Sequence, residues 1–260
     1  MKALSQEEIQ KICNLYKIYG NLREVSLKSS RSIGAIHKYL SSNGLIKSHN
    51  IIKALSTNDN RLIGVYIGLW LGDGTQYRDR HNYTLKICSN KEDIYLNNFI
   101  QNLIFKIFNK TTTLFKETNT KRAYIKFHSR FIFNFIYNYV TMLEGKKTYS
   151  VRLKEKTNSY NQEFLEGCLL GLTLSDGSLK NNFVFSVASE SLAINMKDIL
   201  IRFGFNPHFR IQKRINKANA YIVYLNIKES QKLKEFLNKI VRDVGLNYSF
   251  HELKYGPAQI

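Results

Sequence analysis

The sequence has few of the residues that build disulfide-rich or zinc-stabilised domains. Cysteine occurs three times, at Cys13, Cys88 and Cys168, and successive cysteines lie 75 and 80 residues apart. This spacing matches neither a disulfide framework nor paired zinc ligands, and the six histidines are not clustered either. We therefore expect free thiols in a reducing compartment, and the pattern counts against a zinc hydrolase.

Long apolar runs are also missing. The longest, residues 62–72, is about half of the roughly 20 residues that a bilayer-spanning helix needs. The first ten residues, MKALSQEEIQ, contain acidic side chains and lack the apolar segment of a signal peptide. We expect an intracellular protein with no membrane partner, in a prokaryotic cytoplasm or an organelle matrix.

Acidic residues are scarce relative to basic ones. The chain has 39 Lys and Arg against 20 Asp and Glu, a formal net charge of +19, and 13% of its residues are aromatic. A broad positive field favours a polyanionic partner, and basic charge interleaved with rings is typical of a folded nucleic-acid binder.

Residues 1–50 predict three short helices, with breaks at Gly20, Ser29 and Asn43. Ser5 and Glu8 form a capping box for the first helix; the second is expected over residues 21–28 and the third over 31–42. The segment resembles a helix-turn-helix, whose third helix enters the major groove. That resemblance implies DNA contacts from Ser30, Arg31, Ser32 and either His37 or Lys38. The alternative is a three-helix cap that packs on the next domain, and residues 48–60 are predicted to form a linker.

The remaining chain contains a repeat. GVYIGLWLGDGT begins at Gly64 and GCLLGLTLSDGS at Gly167, an offset of 103 residues. Each copy continues as two strands, a helix, two strands and a closing helix, the closing helices being expected over residues 131–143 and 230–241. We predict an α+β fold with two pseudo-symmetric αββαββα halves, residues 51–155 and 156–260, after a helical domain of residues 1–50.

Small residues recur every four positions in the first helix of each copy. This spacing builds a flat stripe on each helix and predicts that the two helices pack closely. The stripes are Gly64, Gly68 and Gly72 in one copy, and Gly167, Gly171 and Ser175 in the other.

Each of these helices ends in Asp-Gly, at Asp73 and Asp176. Paired carboxylates at the negative ends of two helices repel each other, and a divalent cation between them would relieve the repulsion. Hard oxygen ligands suit Mg²⁺ better than zinc, and such a site permits hydrolysis of a phosphodiester.

YIGLWLGDG at residues 66–74 and LLGLTLSDG at residues 169–177 resemble the two motifs of a single-chain LAGLIDADG homing endonuclease. The resemblance covers about residues 61–255. It implies a monomer whose β-sheets form a saddle over a long double-stranded DNA target, with both strands cut in a reaction that needs Mg²⁺ or Mn²⁺. It also implies metal binding by Asp73, Asp176, Gly72 and Ser175. Leucine replaces aspartate at the sixth motif position in both copies, which is commonly apolar.

The resemblance further implies polar and basic side chains beside the metal. Ser89 and Ser189 end the second strand of each half, where a residue of the water network would sit. The first-half lysine would be Lys146 or Lys147; Leu246 stands at the matching position of the second half, which leaves Lys254 or Lys180. The alternatives are turn serines and solvated surface lysines.

Period-two alternation in the strands predicts which side chains face DNA. Ala123, Ile125 and Phe127 are expected in the core of the first half, and Phe209 and Ile211 in that of the second. The predicted DNA-binding residues of the two halves are Gln76, Lys86, Lys116, Tyr124, Lys126, His128, Lys180, His208, Arg210, Gln212 and Arg214.

Three functions fit these patterns. A site-specific, metal-dependent DNA endonuclease accounts for the two aspartates, which a non-catalytic transcription regulator with the same modules would lose. An intron-splicing maturase would use the saddle to hold its own intron RNA, and it stays compatible because one chain can carry both activities.

Overall fold

The computed structural model describes residues 5–45, 54–80, 82–215, 218–245 and 248–256. The chain divides into two compact units, Met1–Ile51 and Ile52–Ile260. Residues 48–53 of the predicted linker and Leu246 lie outside the described residues, while Asn60 is the first residue of a helix. Within the described parts of the chain, no helix is both long enough and apolar enough to cross a bilayer.

The first unit is a bundle of three helices. They are α1 (Gln6–Tyr19), α2 (Leu22–Ser29) and α3 (Ile33–Ser42). The predicted capping box is confirmed, since Ser5 and Glu8 each accept a hydrogen bond from the other's backbone N–H. A small separate core holds the unit together, and its buried members are Ile12, Cys13, Val25, Ile36 and Leu40.

The third helix begins at Ile33 and not at Arg31 as predicted. Ser32 has an extended backbone, and its side chain accepts the N–H of Ala35, so Ser32 is the N-cap. Arg31 lies outside the helix and forms an ion pair with Glu8 of α1.

The first repeat of the second unit has the predicted order of elements. They are α4 (Asn60–Asp73), β1 (Gly74–Asp79), β2 (Asn82–Asn90), α5 (Ile94–Phe108), β3 (Thr113–Lys116), β4 (Arg122–His128) and α6 (Arg130–Ile136). The four strands form one antiparallel sheet in the order β1-β2-β4-β3.

The closing helix α6 ends at Ile136, seven residues before the predicted end. Beyond it lie β5 (Val140–Thr141), α7 (Lys147–Ser150), β6 (Arg152–Leu153) and a 3₁₀ turn at Thr157–Ser159. The strand pair β5–β6 takes up the backbone that would have continued the helix, and the Tyr139 carbonyl accepts the Lys154 N–H at 2.8 Å. Tertiary pairing therefore overrides the helical pattern here.

The second repeat has the same order of elements. They are α8 (Gln162–Ser175), β7 (Gly177–Ser178), β8 (Val184–Val187), α9 (Glu190–Arg202), β9 (His208–Gln212), β10 (Ala220–Tyr224), α10 (Ile227–Asp243) and α11 (Phe250–Tyr255). Its antiparallel sheet has the order β7-β8-β10-β9, which matches the first sheet strand for strand. The fold is thus α+β with two αββαββα repeats, as predicted, and the second repeat is followed by the short helix α11.

Helices α4 and α8 pack against each other along their small residues, as predicted. A Cβ placed on Gly171 would lie 2.7 Å from the backbone nitrogen of Leu69, and one on Gly64 would lie 2.9 Å from that of Cys168. Real Cβ atoms do not approach backbone this closely, so only glycine permits the contact. Both helices lie in one continuous hydrophobic core, and Trp70 of α4 is part of it.

An ion pair joins the N-terminal parts of the same two helices. The Arg61 guanidinium, near the start of α4, contacts the Glu166 carboxylate of α8 through Nε at 2.9 Å and through a terminal nitrogen at 2.8 Å. Gln162 donates a further hydrogen bond to Glu166 at 2.9 Å. These contacts hold the register of the helix pair at the end away from Asp73 and Asp176.

Strand alternation follows the prediction in β4 and departs from it in β9. Ala123, Ile125 and Phe127 are all buried, as expected. Phe209 is half-buried, but Ile211 is 51% exposed, so its predicted core position is wrong. Among the described residues, β9 is the edge strand of its sheet, and the half-buried Tyr221 of β10 lies opposite Ile211.

Candidate active site

Two carboxylates lie at the same end of the central helix pair. Asp73 is the last residue of α4, and Asp176 caps α8 with its backbone N–H on the Leu172 carbonyl at 3.1 Å. A Cβ on Gly72 would lie 2.7 Å from Oδ2 of Asp176. Glycine at position 72 therefore leaves the space in which the Asp176 carboxylate sits across from Asp73.

The surroundings of both carboxylates destabilise their ionised forms. Burial raises the pKa of Asp73 to about 6, the negative charge of Asp176 adds to the rise, and Lys254 and Lys147 oppose it. Burial also raises the pKa of Asp176, against the pull of the same two lysines. Two partly desolvated carboxylates side by side are stabilised by a bound cation.

Two lysines cap the same helix ends. Lys147 Nζ donates to the carbonyls of Leu71 at 2.8 Å and Gly72 at 3.0 Å. Lys254 Nζ donates to the carbonyls of Leu174 at 2.6 Å and Ser175 at 2.9 Å. The last carbonyls of a helix have no partner within it, so each ammonium satisfies two of them.

The structure identifies Lys254 as the counterpart of Lys147. Each is partly buried, and burial lowers the pKa of Lys147 to about 8 and also lowers the pKa of Lys254. Sequence comparison had matched Leu246 with Lys146, which is a misalignment. Lys147 is the first residue of α7 and Lys254 lies near the end of α11, so spacing along the chain does not align the two lysines.

The other two candidate lysines lie away from the carboxylates. Lys146 is exposed at the N-terminal end of α7. Lys180 is exposed as well, with Nζ 5.9 Å from the centre of the Tyr255 ring. Neither lines the cavity of Asp73 or that of Asp176, so the structure does not bring these two lysines into the site.

The two serines differ in their surroundings. Ser89 Oγ donates to Oδ1 of Asn97 at 2.5 Å, and Ser89 lines a cavity beside Asp73. Ser189 is fully buried; its Oγ donates to the Val151 carbonyl at 2.7 Å and accepts the Leu192 N–H as the N-cap of α9. The predicted water-network role is thus wrong for Ser189, whose hydroxyl is used to start a helix.

Two cavities flank the carboxylates, and each combines groups from both repeats. Asp73 lines a cavity of about 650 Å³ together with Ser175 and Lys254 of the second repeat. Asp176 lines a cavity of about 200 Å³ together with Gly72 and Lys147. Each aspartate therefore shares its cavity with the lysine that caps the other repeat's helix.

The larger cavity contains a carboxylate that sequence reasoning missed. Asp93 lines it; burial raises its pKa, and Lys254 lowers that pKa. Asp93 precedes α5, but its side chain makes no capping hydrogen bond. An aspartate directly before a helix is typical of an N-cap, so the position of Asp93 in the sequence does not indicate a place in this cavity.

The donor set fits a hard divalent cation. Asp73 and Asp176 supply carboxylate oxygens, and Gly72 and Ser175 supply carbonyl oxygens that accept the lysine hydrogen bonds in this structure. No cluster of three or more His, Cys, Asp or Glu with metal-site geometry occurs among the described residues. A cation here would draw its remaining ligands from water and phosphate, as Mg²⁺ commonly does.

The outer face of the first sheet presents cations between aromatic rings. Lys86 of β2 lies directly opposite Lys126 of β4. The Lys86 Nζ is 4.8 Å from the centre of the Tyr124 ring and 5.5 Å from that of Tyr77. Lys86 and Tyr124 also line the cavity of Asp73, so this face continues into the site. His128 lies on the same face, with Nδ1 3.0 Å from the Thr84 hydroxyl.

Two predicted contacts in the first sheet lie on its other face. Gln76 pairs with buried Leu85, and its side-chain amide atoms are buried without a hydrogen-bond partner. Lys116 pairs with buried Ala123 and is exposed on the edge strand β3. Residues opposite each other across a ladder share a face, so Gln76 and Lys116 lie on the face opposite to that of Lys86 and Tyr124, and their predicted DNA contacts stay predictions.

The second sheet carries fewer cations on its outer face. His208 and Arg210 of β9 are exposed; the His208 ring stacks on Tyr224 at 5.1 Å, and the Arg210 guanidinium is 5.6 Å from the same ring. Gln212 and Arg214 are exposed too. His208, Arg210 and Gln212 alternate with Phe209 along β9, and all three are exposed, as predicted.

In the first unit, Lys38 is exposed on α3. Arg31 and Ser32 are engaged inside the unit, in the ion pair with Glu8 and in the N-cap. Lys38 is therefore the predicted contact whose charge stays available to a partner.

Removing one carboxylate should stabilise the metal-free protein at alkaline pH. Because the pKa of Asp73 is raised in the folded state, the folded protein binds this proton more tightly than the unfolded chain does. The ionisation of Asp73 therefore does not lower the free energy of unfolding below pH 4, and it lowers it progressively as the pH rises through about 6. Asp73→Asn abolishes that loss. We expect a gain of at most about 3 kcal/mol at pH 8 in EDTA, from a shift of about two pKa units, and none at pH 4.

Thermal unfolding at both pH values would measure this gain. Asp198→Asn on α9 is the matched control, because Asp198 lines neither cavity. A gain of equal size at pH 4 and pH 8 would contradict the electrostatic explanation.

Known proteins resemble this chain in structure and not detectably in sequence. No protein-family model matches the sequence, and no curated protein matches it. Among solved structures, I-DmoI in complex with DNA and Mn is 15% identical, with a TM-score of 0.52 over 69% of this chain and 97% of the other. A structure of mesophilic variants of the homing endonuclease I-DmoI is 16% identical, with a TM-score of 0.51 over 70% and 97%. A variant of I-DmoI with its target DNA and Mg is 16% identical, with a TM-score of 0.50 over 70% and 98%.

In the second unit of this chain, two repeats meet at a glycine-lined helix pair. The motifs that end in Asp73 and Asp176 occupy that pair, as the sequence resemblance predicts. The chain has the LAGLIDADG fold of the single-chain homing endonucleases.

Proposed function

We propose that this protein is a site-specific endonuclease that cleaves both strands of a long double-stranded DNA target by divalent-metal-dependent hydrolysis. One observation carries the proposal: Asp73 with Lys254 and Asp176 with Lys147 form two neighbouring sites from both repeats. Two such sites in one chain supply one hydrolytic centre for each strand. The protein would therefore act as a monomer.

The residues of the two sites would have different roles in hydrolysis. Asp73 and Asp176, with the carbonyls of Gly72 and Ser175, would hold Mg²⁺ or Mn²⁺, which supplies a Lewis acid and an activated water when bound. Lys147 and Lys254 place positive charge beside the carboxylates, where a phosphate gains negative charge during hydrolysis. Ser89 lies at the rim of the larger site and would orient water there.

The two sheets would supply the DNA contacts. Lys86 and Lys126 on the first sheet suit phosphates, while Arg210 and Gln212 on the second have the donors and acceptors that read base edges. The first repeat, residues 51–155, holds 17 basic and 8 acidic residues, against 14 and 9 in residues 156–260. We infer that the first repeat grips the backbone more strongly by charge, and the division into these two halves is part of the proposal.

The direct test is to incubate the protein with a library of randomised duplexes in Mg²⁺ and to sequence the cut ends. The proposal expects one long target, cut in both strands, with no cutting in EDTA. Specific binding without cutting would favour a transcription regulator. Preference for structured RNA over every duplex would favour a maturase.

Salt titration should separate the outer and inner faces of the first sheet. Lys86→Ala should lower the slope of log affinity against log salt by about 0.9, the value for one phosphate. Lys116→Ala is the matched control because Lys116 lies on the opposite face, and it should leave the slope unchanged. The same loss in both variants, measured by binding titration on the selected duplex, would argue against the saddle.

The first unit is proposed to extend the DNA contact through α3. Lys38→Ala should weaken binding and lower the salt slope by about 0.9, without moving either cut. Lys11→Ala on α1 is the control, since Lys11 is exposed on a different helix. If Lys38→Ala leaves affinity, salt slope and footprint unchanged, the unit is a cap and not a DNA-binding module.

A further inference from the structure

Trp70 is the single tryptophan of the sequence, and it lies under one of the two lysines. Its side chain is fully buried in α4, and its ring centre is 4.9 Å from Nζ of Lys147. The ammonium thus has the indole face on one side, in addition to the carbonyls of Leu71 and Gly72. A cation over an aromatic face is attracted by the ring, most strongly where water is excluded.

The second repeat lacks this ring. Thr173 stands 103 residues after Trp70, at the corresponding position of α8, where it is fully buried and donates its hydroxyl hydrogen to the Leu169 carbonyl at 2.8 Å. The charges of Asp73 and Asp176 act on both lysines, and Lys254 has the charge of Asp93 in addition. The two lysines therefore cap equivalent helix ends but are held there by different partners.

This difference has a consequence for the two strands. Lys147 shares a cavity with Asp176, and Lys254 shares the other with Asp73. The Trp70 ring contacts Lys147, and in the described part of the chain no cation–π contact joins it to Lys254.

We propose that Trp70 is a positioning residue for Lys147, and that cleavage of one DNA strand depends on it while cleavage of the other does not. This inference rests on the proposed nuclease function, because it concerns the same two sites. Trp70 touches no reacting atom; it acts by holding the ammonium over the end of α4.

The test uses the selected duplex with a different label on each strand, so that the two nicking rates are measured separately in the full-length protein. Trp70→Leu should slow one strand about tenfold and change the other less than twofold. Trp70→Phe keeps an aromatic face and should recover the slow strand to within about threefold of the wild type. Phe183→Leu removes a fully buried ring that lines neither cavity and should not alter the ratio of the two rates.

A double-mutant cycle distinguishes positioning from simple loss of packing. In a Lys147→Met background, Trp70→Leu should cause no further change in either rate, since its effect passes through the lysine. Equal slowing of both strands, a further loss in the Lys147→Met background, or no rescue by phenylalanine would each overturn the inference.

Tryptophan fluorescence tests the contact without any cleavage. In EDTA and without DNA, Lys147→Met should change the emission spectrum of Trp70, and Lys146→Met, at an exposed position, should not. An unchanged spectrum in Lys147→Met would overturn the inference even if Trp70→Leu fails to fold. A wild type that cuts neither strand would refute the nuclease proposal, while the fluorescence result would still decide whether Trp70 holds Lys147.

Discussion

Asp73→Asn and Asp176→Asn should each abolish double-strand cleavage, with a loss of at least about 1,000-fold, and should keep specific binding to the duplex. An amide has nearly the shape of a carboxylate but lacks its charge, so it holds a divalent cation poorly. The outer faces of both sheets, which would supply the binding energy, are unchanged in either variant. Cleavage of labelled duplex in Mg²⁺ and binding in Ca²⁺ would measure the two properties.

Asp198→Asn is the control for this experiment, because it makes the same chemical change on α9 outside both cavities. It should cut at the wild-type rate. Full cutting by Asp73→Asn or Asp176→Asn would show that the paired carboxylates are not the metal site. Loss of both DNA binding and DNA cleavage would indicate a structural defect instead.

Gly171→Ala should destabilise the second unit by about 3 kcal/mol or more, although only one methyl group is added. A Cβ at this position would lie 2.7 Å from the Leu69 nitrogen and 2.9 Å from the Cα of Gly68. Both atoms belong to the backbone of α4, so no side chain can turn aside to make room. The helices must separate, and the aspartates at their ends would separate with them.

Gly34→Ala is the matched control for the glycine contact. Gly34 lies in α3, where a Cβ would meet nothing within 4 Å, so alanine should be neutral or stabilising by about 0.5 to 1 kcal/mol. Thermal and denaturant unfolding would measure both variants. A melting temperature for Gly171→Ala close to that of the wild type would show that the helix pair tolerates a wider spacing.

Much of the framework could be read from local patterns. The four-residue spacing of glycines predicts a close helix pair because it depends only on helix geometry, and Gly64 and Gly171 occupy the contact. The alternation of Ala123, Ile125 and Phe127 predicts a half-buried strand for the same kind of reason. The capping box of Ser5 and Glu8 involves residues three apart, which no distant contact disturbs.

Sequence patterns did not predict a residue's face or hydrogen-bond partner where these depend on residues that are distant in the sequence. The face of Gln76 follows from its pairing with Leu85, and a strand sequence without clear alternation does not reveal that register. Ser89 lies in β2 and Ser189 lies two residues after the equivalent strand β8, but one lines a cavity while the other caps α9. Which of these roles a serine takes is decided by the chain packed around it.

The sequence by itself determined the repeat, the helix pair and the position of Asp73 and Asp176 at its end, because these follow from spacing within a single helix. Only the tertiary structure decided which lysines accompany the aspartates. Lys147 reaches the end of α4 from 75 residues away, and Lys254 reaches the end of α8 from 79 residues away. Helix-end carbonyls accept any ammonium that the fold brings near, so the selection of Lys147 and Lys254 depends on long-range packing and leaves no local pattern.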